Sequence, residues 1–353
     1  MNHALPKWRI PLSTPHICLL VIYFFVFLLI GYWSLLPYYA ERHYKNAYQF
    51  FVTRQYRLAI TEYQQAIAYA PWEVYYQQDL ARLYQEYAHQ QPTKRLKMAY
   101  LKQSEKTLNT ILKYEPQNPW IHNRYITLHS MMSQIDRSRD YTQLMIMHSK
   151  KSAELAPQNP LFQLTYAVHL HRSNQLSDAE HYYQTAIGYD PDLLDAHFNL
   201  GSLYYFQKRY TDALSHFLTI ADKNPRYKDI YHWIASIYMI QNNIDKAVEL
   251  FDTLDPSYNS AVLLDTQFRV YLAAKNWDKL IQLYEQYHGL YGHAEVLHNF
   301  YINALVQTQL KDNIIRAYQS LVEFLVQFPD NTLAKTQLSQ IKPYIPNSTL
   351  KTL

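Results

Sequence analysis

Two hydrophobic patterns divide the chain. Residues 10–40 contain no Asp, Glu, Lys or Arg, and 17–36 read ICLLVIYFFVFLLIGYWSLL. A helix of that length spans about 30 Å, the thickness of a bilayer core. From residue 40 on, small, aromatic and proline positions recur instead. Pro157, Pro191 and Pro225 are 34 residues apart, with Ala179 and Ala213 twelve residues before the last two and Tyr183 and Phe217 eight before them. A proline ends a helix because it lacks an N–H. Small residues at fixed offsets let two helices approach closely. The pattern therefore predicts an all-α chain: one apolar N-terminal helix, then a series of antiparallel helix pairs. Only 5 glycines in 353 residues agree with it.

The segment LDAHFNLGSLYYFQKRYTDALSHFLTIADKNPRY, from Leu194, carries Leu200-Gly201, Tyr204, Ala213, Phe217 and Pro225. This spacing resembles the tetratricopeptide (TPR) repeat, which implies a right-handed TPR α-solenoid of about eight helix-turn-helix units. With Leu194 as position 1, units begin near residues 40, 74, 119, 160, 194, 228, 261 and 298. Position 8 holds Ala47, Ala81, Ala167, Gly201 and Ala235; position 20 holds Ala59, Ala179, Ala213, Ala247 and Ala317. Position 24 holds Tyr63, Tyr183, Phe217, Phe251 and Tyr284. The expected organisation is a short segment 1–16, a transmembrane helix 17–36, a TPR array 40–331, and a capping helix with a frayed tail over 332–353. Insertions of about 11 residues around 88–101 and about 7 around 133–140 stretch the second and third units. Asn276-Trp277 replaces the usual turn before a second helix.

The apolar segment is longer than the core of a cleaved signal peptide and lacks an A-x-A-like site. It reads as an uncleaved anchor, with Tyr32, Trp33, Tyr38 and Tyr39 at one boundary. A short N-terminus before such a run favours export of the chain on its C-terminal side. The array is thus expected on the periplasmic or cell-surface side, although Arg42, Lys45, Arg54 and Arg57 come after the span as Lys7 and Arg9 precede it.

Composition narrows the chemistry. No glycine-rich phosphate loop, HExxH, GxSxG or EF-hand pattern is present. The lone cysteine, Cys18, rules out an intramolecular disulfide and a CxxC pair. A net charge of +4 is too mild for a nucleic-acid-binding surface. Sixteen histidines raise the question of metal. However, His169 and His171 point apart on a helix, and His122 and His129 lie two turns apart. We therefore expect no catalytic residue, no metal, no cofactor and no enzyme. The basic run Lys94, Arg95, Lys97, Lys102 and Lys106 reads as a solvated helix face.

TPR arrays bind partners on the stacked first helices of each pair. Positions 2, 5, 9, 12 and 13 should line this groove. They are Leu161, Leu164, Val168, His171 and Arg172; then Asp195, Phe198, Ser202, Tyr205 and Phe206; then Asp229, His232, Ser236, Met239 and Ile240. The Lys and Asn pair of a carboxylate clamp is missing at positions 5 and 9.

The stretch RHYKNAYQFFVTRQYRLAITEYQQAIAYAPWEVYYQQDLARLYQEYA, with NPWIHNRYITL and KKSAELAPQNPLF after it, resembles the C-terminal TPR tail of bacterial O-antigen ligase and polymerase-like membrane proteins. The resemblance covers about residues 32–225 and implies an envelope protein. This chain has one span where that family has many, so no catalytic residue carries over. The expected function is a membrane-anchored scaffold for a protein or peptide partner in a bacterial envelope assembly, with the bilayer contacted through 17–36. The alternative is a non-catalytic accessory subunit of a surface-polysaccharide ligase or polymerase, partnered by a multi-span membrane protein. Direct carbohydrate binding by the 35 tyrosines comes third.

Overall fold

The structure is a computed structural model that describes residues 14–255, 257–258, 260–291 and 295–345. The expected segment 1–16 lies mostly outside these residues, as does the tail beyond 345. Seventeen α-helices and no strands occur among the described residues. They fall into two lobes, divided between Pro191 and Asp192.

The first lobe holds four helix pairs. They are α1 (Thr14–Val52) with α2 (Tyr56–Tyr69), α3 (Val74–His89) with α4 (Lys94–Tyr114), α5 (Pro119–Ile135) with α6 (Thr142–Leu155), and α7 (Pro160–Arg172) with α8 (Leu176–Tyr189). The second lobe begins with α9 (Leu194–Phe206), α10 (Tyr210–Lys223), α11 (Ile230–Ile240) and α12 (Ile244–Asp252). It continues with α13 (Ala261–Ala273), α14 (Trp277–Tyr291), α15 (Glu295–Gln307) and α16 (Lys311–Gln327), and α17 (Thr332–Ile341) packs on α16.

Close approach within each pair is set by side-chain size. The small residues at positions 8 and 20 are all buried. Gly201 shows the constraint most sharply. A Cβ added there would sit 2.7 Å from Cε1 of Phe217 and 3.0 Å from its Cδ1. The position-24 ring thus packs on position 8 of its own repeat, and it also lies 5.7 Å from Trp233 of the next.

The turn within a pair has its own rule. Arg54, Asn174, Lys208, Asn242, Lys275 and Gln309 all adopt positive φ, between 53° and 62°. After the first five, the next residue's N–H closes on the carbonyl five residues back: Gln55 on Phe50, Gln175 on Leu170, Arg209 on Tyr204, Asn243 on Tyr238 and Asn276 on Tyr271. This is a Schellman closure, usually built on glycine. Here Lys, Arg and Asn accept the left-handed backbone, which is how the chain turns with so few glycines. The turn before α14 closes like the others, contrary to the expectation for Asn276-Trp277.

Successive pairs are joined by a second device. Proline ends the second helix, and a side chain six residues on donates to the proline carbonyl. Gln77 Nε2 reaches Pro71 O at 2.9 Å, and Gln163 Nε2 reaches Pro157 O at 2.8 Å. These carbonyls are orphaned at the helix end and would otherwise be buried unpaired. Asn118 and Asn159 then cap the next helix, accepting from the N–H of Trp120 and Leu161, with Pro119 and Pro160 in the first turn.

The first insertion lengthens α4, and the second is divided between a longer α5 and the connection over 136–141. α4 runs for 21 residues and α5 for 17. The basic run lies on the water-facing side of α4. At the C-terminal end, Ile341 and Ile345 are buried across a short 3-10 turn at Lys342–Tyr344, so this part of the expected frayed tail is packed.

Gly201→Leu should overpack α9 against α10 and destabilise the chain by about 1–3 kcal/mol. Urea denaturation checks this, and an unchanged midpoint would mean that Phe217 has room to move.

Candidate functional site: an aromatic face on α9 and α11

The expected groove residues are not equally available. On α7, in the first lobe, Leu161 and Arg172 are exposed, and Leu164 and Val168 are half-buried. His171 contacts the Tyr183 hydroxyl through Nδ1 at 3.3 Å. Burial, then the neighbouring Arg172, holds its pKa below the ordinary value.

In the second lobe, five of the expected residues sit on α9. Asp195 accepts a hydrogen bond from the Tyr227 hydroxyl. Phe198, Ser202 and Tyr205 are half-buried, and Phe206 is 71% exposed. The Ser202 hydroxyl oxygen is buried with no protein hydrogen-bond partner. Burial, then Tyr210, raises the Tyr205 phenol.

From the neighbouring pair, α11 contributes half-buried His232, Ser236 and Met239, and Ile240 at 48% exposure. Asp229 adopts a left-handed backbone just before α11. The His232 Nδ1 lies 2.6 Å from Thr266 Oγ1, whose own proton goes to the Val262 carbonyl at 2.8 Å. This contact commits the His232 ring toward α13. Burial keeps it neutral, with its pKa lowered.

The residue that gathers this face was not among those expected. Trp233 lies one position beyond His232, and its indole meets Phe198, Tyr205 and Phe206 edge-on. The centroid distances are 5.9, 5.2 and 6.4 Å, with interplanar angles of 86°, 89° and 80°. The only signal in the sequence is its size, because its register position lies outside the groove set. Edge-to-face contacts of this kind hold rings in place beyond their area burial. The result is a fixed aromatic surface: Phe206 and Ile240 are open to solvent, while Phe198 and Trp233 are buttressed from below by Phe217.

A family model described as tetratricopeptide repeat matches residues 167–228 and 207–262, the stretch that builds this face. Residues 167–262 carry tetratricopeptide repeats. Among solved structures it is similar to PilF of Pseudomonas aeruginosa, at 11% identity over 66% of this chain and 99% of that one, with a TM-score of 0.48. The C-terminal part of a TPR repeat-containing protein from Cytophaga hutchinsonii aligns at 16% identity over 84% and 99%, with a TM-score of 0.47. A tetratricopeptide repeat protein from Parabacteroides merdae aligns at 15% identity over 74% and 98%, with a TM-score of 0.43. No curated protein matches. TPR repeats are typically non-catalytic interaction scaffolds.

The histidines expected to be scattered are partly assembled. In the first lobe His122 Nδ1 lies 3.0 Å from His148 Nδ1. The Tyr125 ring stacks on His148 at 4.4 Å, and His129 is 5.5 Å away. His129 Nε2 is 3.9 Å from a Glu105 oxygen. A second pair, His197 and His216, sits in the other lobe at 2.9 Å. Among the described residues no group of three or more His, Cys, Asp or Glu side chains is arranged to hold a metal ion.

His129 and His148 are packing groups held neutral. Burial pushes His129 down to about 4, aided by Arg139, and pushes His148 down to about 4, aided by its two histidine neighbours. The unfolded chain, with ordinary histidines, therefore binds protons first as the pH falls. Stability should be complete above about pH 6.5 and be lost between there and about pH 4, on the order of 2–3 kcal/mol for each such group. Urea midpoints measured from pH 7.5 to 4.5 should show this fall, and His148→Gln should flatten it. A pH-independent midpoint in the parent chain would contradict the burial of charge-averse imidazoles.

Proposed function

We propose that this chain is a membrane-anchored TPR scaffold that binds a protein partner on the aromatic face of α9 and α11. The observation that carries the reading is the exposed Phe206 beside the half-buried Trp233, Tyr205 and Phe198. Rigid aromatic side chains lose little entropy on binding and dominate interface energies. The surface is long and weakly charged, which suits an extended segment or a partner helix laid across successive first helices. An apolar segment long enough to cross a membrane supports the anchor: within Leu19–Val52 its most apolar window is wholly exposed. The resemblance to O-antigen ligase tails makes an envelope assembly the proposed setting, with the array exported.

The test is capture of tagged full-length chain from detergent-solubilised membranes after mild cross-linking, compared with Phe206→Asp. Phe206 is exposed, so the substitution leaves the fold intact. The expected result is a stoichiometric partner whose recovery falls at least tenfold in the variant, equivalent to about 1.4 kcal/mol of binding. Equal recovery in both, or background proteins only, would overturn the assignment of this face.

A further inference from the structure

The apolar segment and the first repeat are one helix. α1 runs unbroken through Pro37, so residues 19–36 lead directly into the part of α1 that packs on α2. After the turn at Thr53 and Arg54, α2 returns along α1 and ends at Tyr69. Its end is locked to α1: Tyr69 stacks on His43 at 5.5 Å and lies 5.8 Å from Tyr39. The connection to α3 then places Trp72 in a stacked contact with Trp33, centroids 6.2 Å apart and rings 19° from parallel. Trp33 lies within the charge-free stretch, about 4.5 Å along the helix from Leu36. Both indoles stay accessible, Trp33 at 55% and Trp72 at 43%.

Two properties suit this pair to a bilayer surface. An indole has an apolar body and a polar N–H, and tryptophan concentrates at the headgroup level for that reason. Pro37 has no N–H for the Trp33 carbonyl, a group that the hydrocarbon core would leave unpaired and that a headgroup or water can satisfy. We propose that the turn carrying Trp72 is a second membrane contact, lying in the lipid headgroup layer beside Trp33. This rests on the reading of α1 as a membrane anchor. Its consequence is that the first repeat is held against the bilayer at two points. Glu41, accepting from Tyr75 and Tyr76, and Asp79, accepting from Tyr44 at 2.9 Å, keep α3 in step with α1.

The experiment uses the full chain with Cys18→Ser, reconstituted in phosphatidylcholine vesicles. One nitroxide label is placed at Phe25→Cys, Trp72→Cys or Thr53→Cys. Thr53 lies about 30 Å beyond Trp33 along the same helix and serves as the aqueous reference. Collision with oxygen against a water-soluble nickel chelate reports depth. The expected result is a Phe25 label in the hydrocarbon core, a Thr53 label in water, and a Trp72 label several-fold less accessible to nickel than Thr53. A core-buried Phe25 with a Trp72 label as accessible as Thr53 would overturn the second contact and leave the anchor standing. A Phe25 label as accessible as Thr53 would overturn both. Quenching of tryptophan fluorescence by brominated lipid, read as the difference between the native chain and Trp72→Phe, keeps the ring pair intact and must agree: no difference contradicts the proposal.

Discussion

The structure depends on how closely two helices of a pair can approach. An aromatic ring at position 24 must be accommodated by a small residue at position 8, and Gly201 under Phe217 is the tightest case, with no space even for a methyl group. Alanine holds the same position at Ala47, Ala81, Ala167 and Ala235, all fully buried. Once that contact is made, the remaining surface of each first helix is defined. Its buried side is spent on the pair, and its other side is left for something else. On α9 and α11 that other side is aromatic, and Phe217 is the link between the two, touching Gly201 below and Trp233 above.

Much of the fold was legible because periodicity reports which face of a helix is buried. The spacing of Pro, Ala and aromatic residues predicted the helix pairs, and the apolar run predicted a long helix at the N-terminal end. Periodicity does not report what a side chain meets across the interface. His122 and His148 are 26 residues apart and lie on different helices, so their contact had no local signal. The donation of Gln77 and Gln163 to proline carbonyls was present in the sequence as a shared spacing of six, but it becomes a hydrogen bond only once the helix end is seen to orphan that carbonyl. Trp233 was hidden by the register itself. Its position faces packing in an average repeat, and only the neighbouring Phe198, Tyr205 and Phe206 turn it into the centre of a surface. The expected span and the first repeat are joined through Pro37 as one helix. Proline removes only one bond there, at the point where the helix begins to gain support from α2.

The physical character of the two lobes differs in a way that bears on function. The first lobe is tied to the apolar helix by a dense set of tyrosine contacts, including Tyr44 against Asp79, whose carboxylate adds to burial in pushing the Tyr44 phenol up to about 12. Such a lobe suits a fixed base. The second lobe carries the solvent-open Phe206 and Ile240 on the helices that the repeat architecture reserves for partners. Under the proposed function, the first lobe is the held one and the second presents a preorganised surface.

The most direct test of the aromatic face is site-specific photo-cross-linking in native membranes, with a photoreactive residue replacing Phe206 on α9 or Leu218 on α10, which is also exposed. The predicted outcome is a discrete protein adduct from position 206 and none of that mass from position 218. The same adduct from both positions, or none from position 206, would contradict the assignment of partner binding to this face.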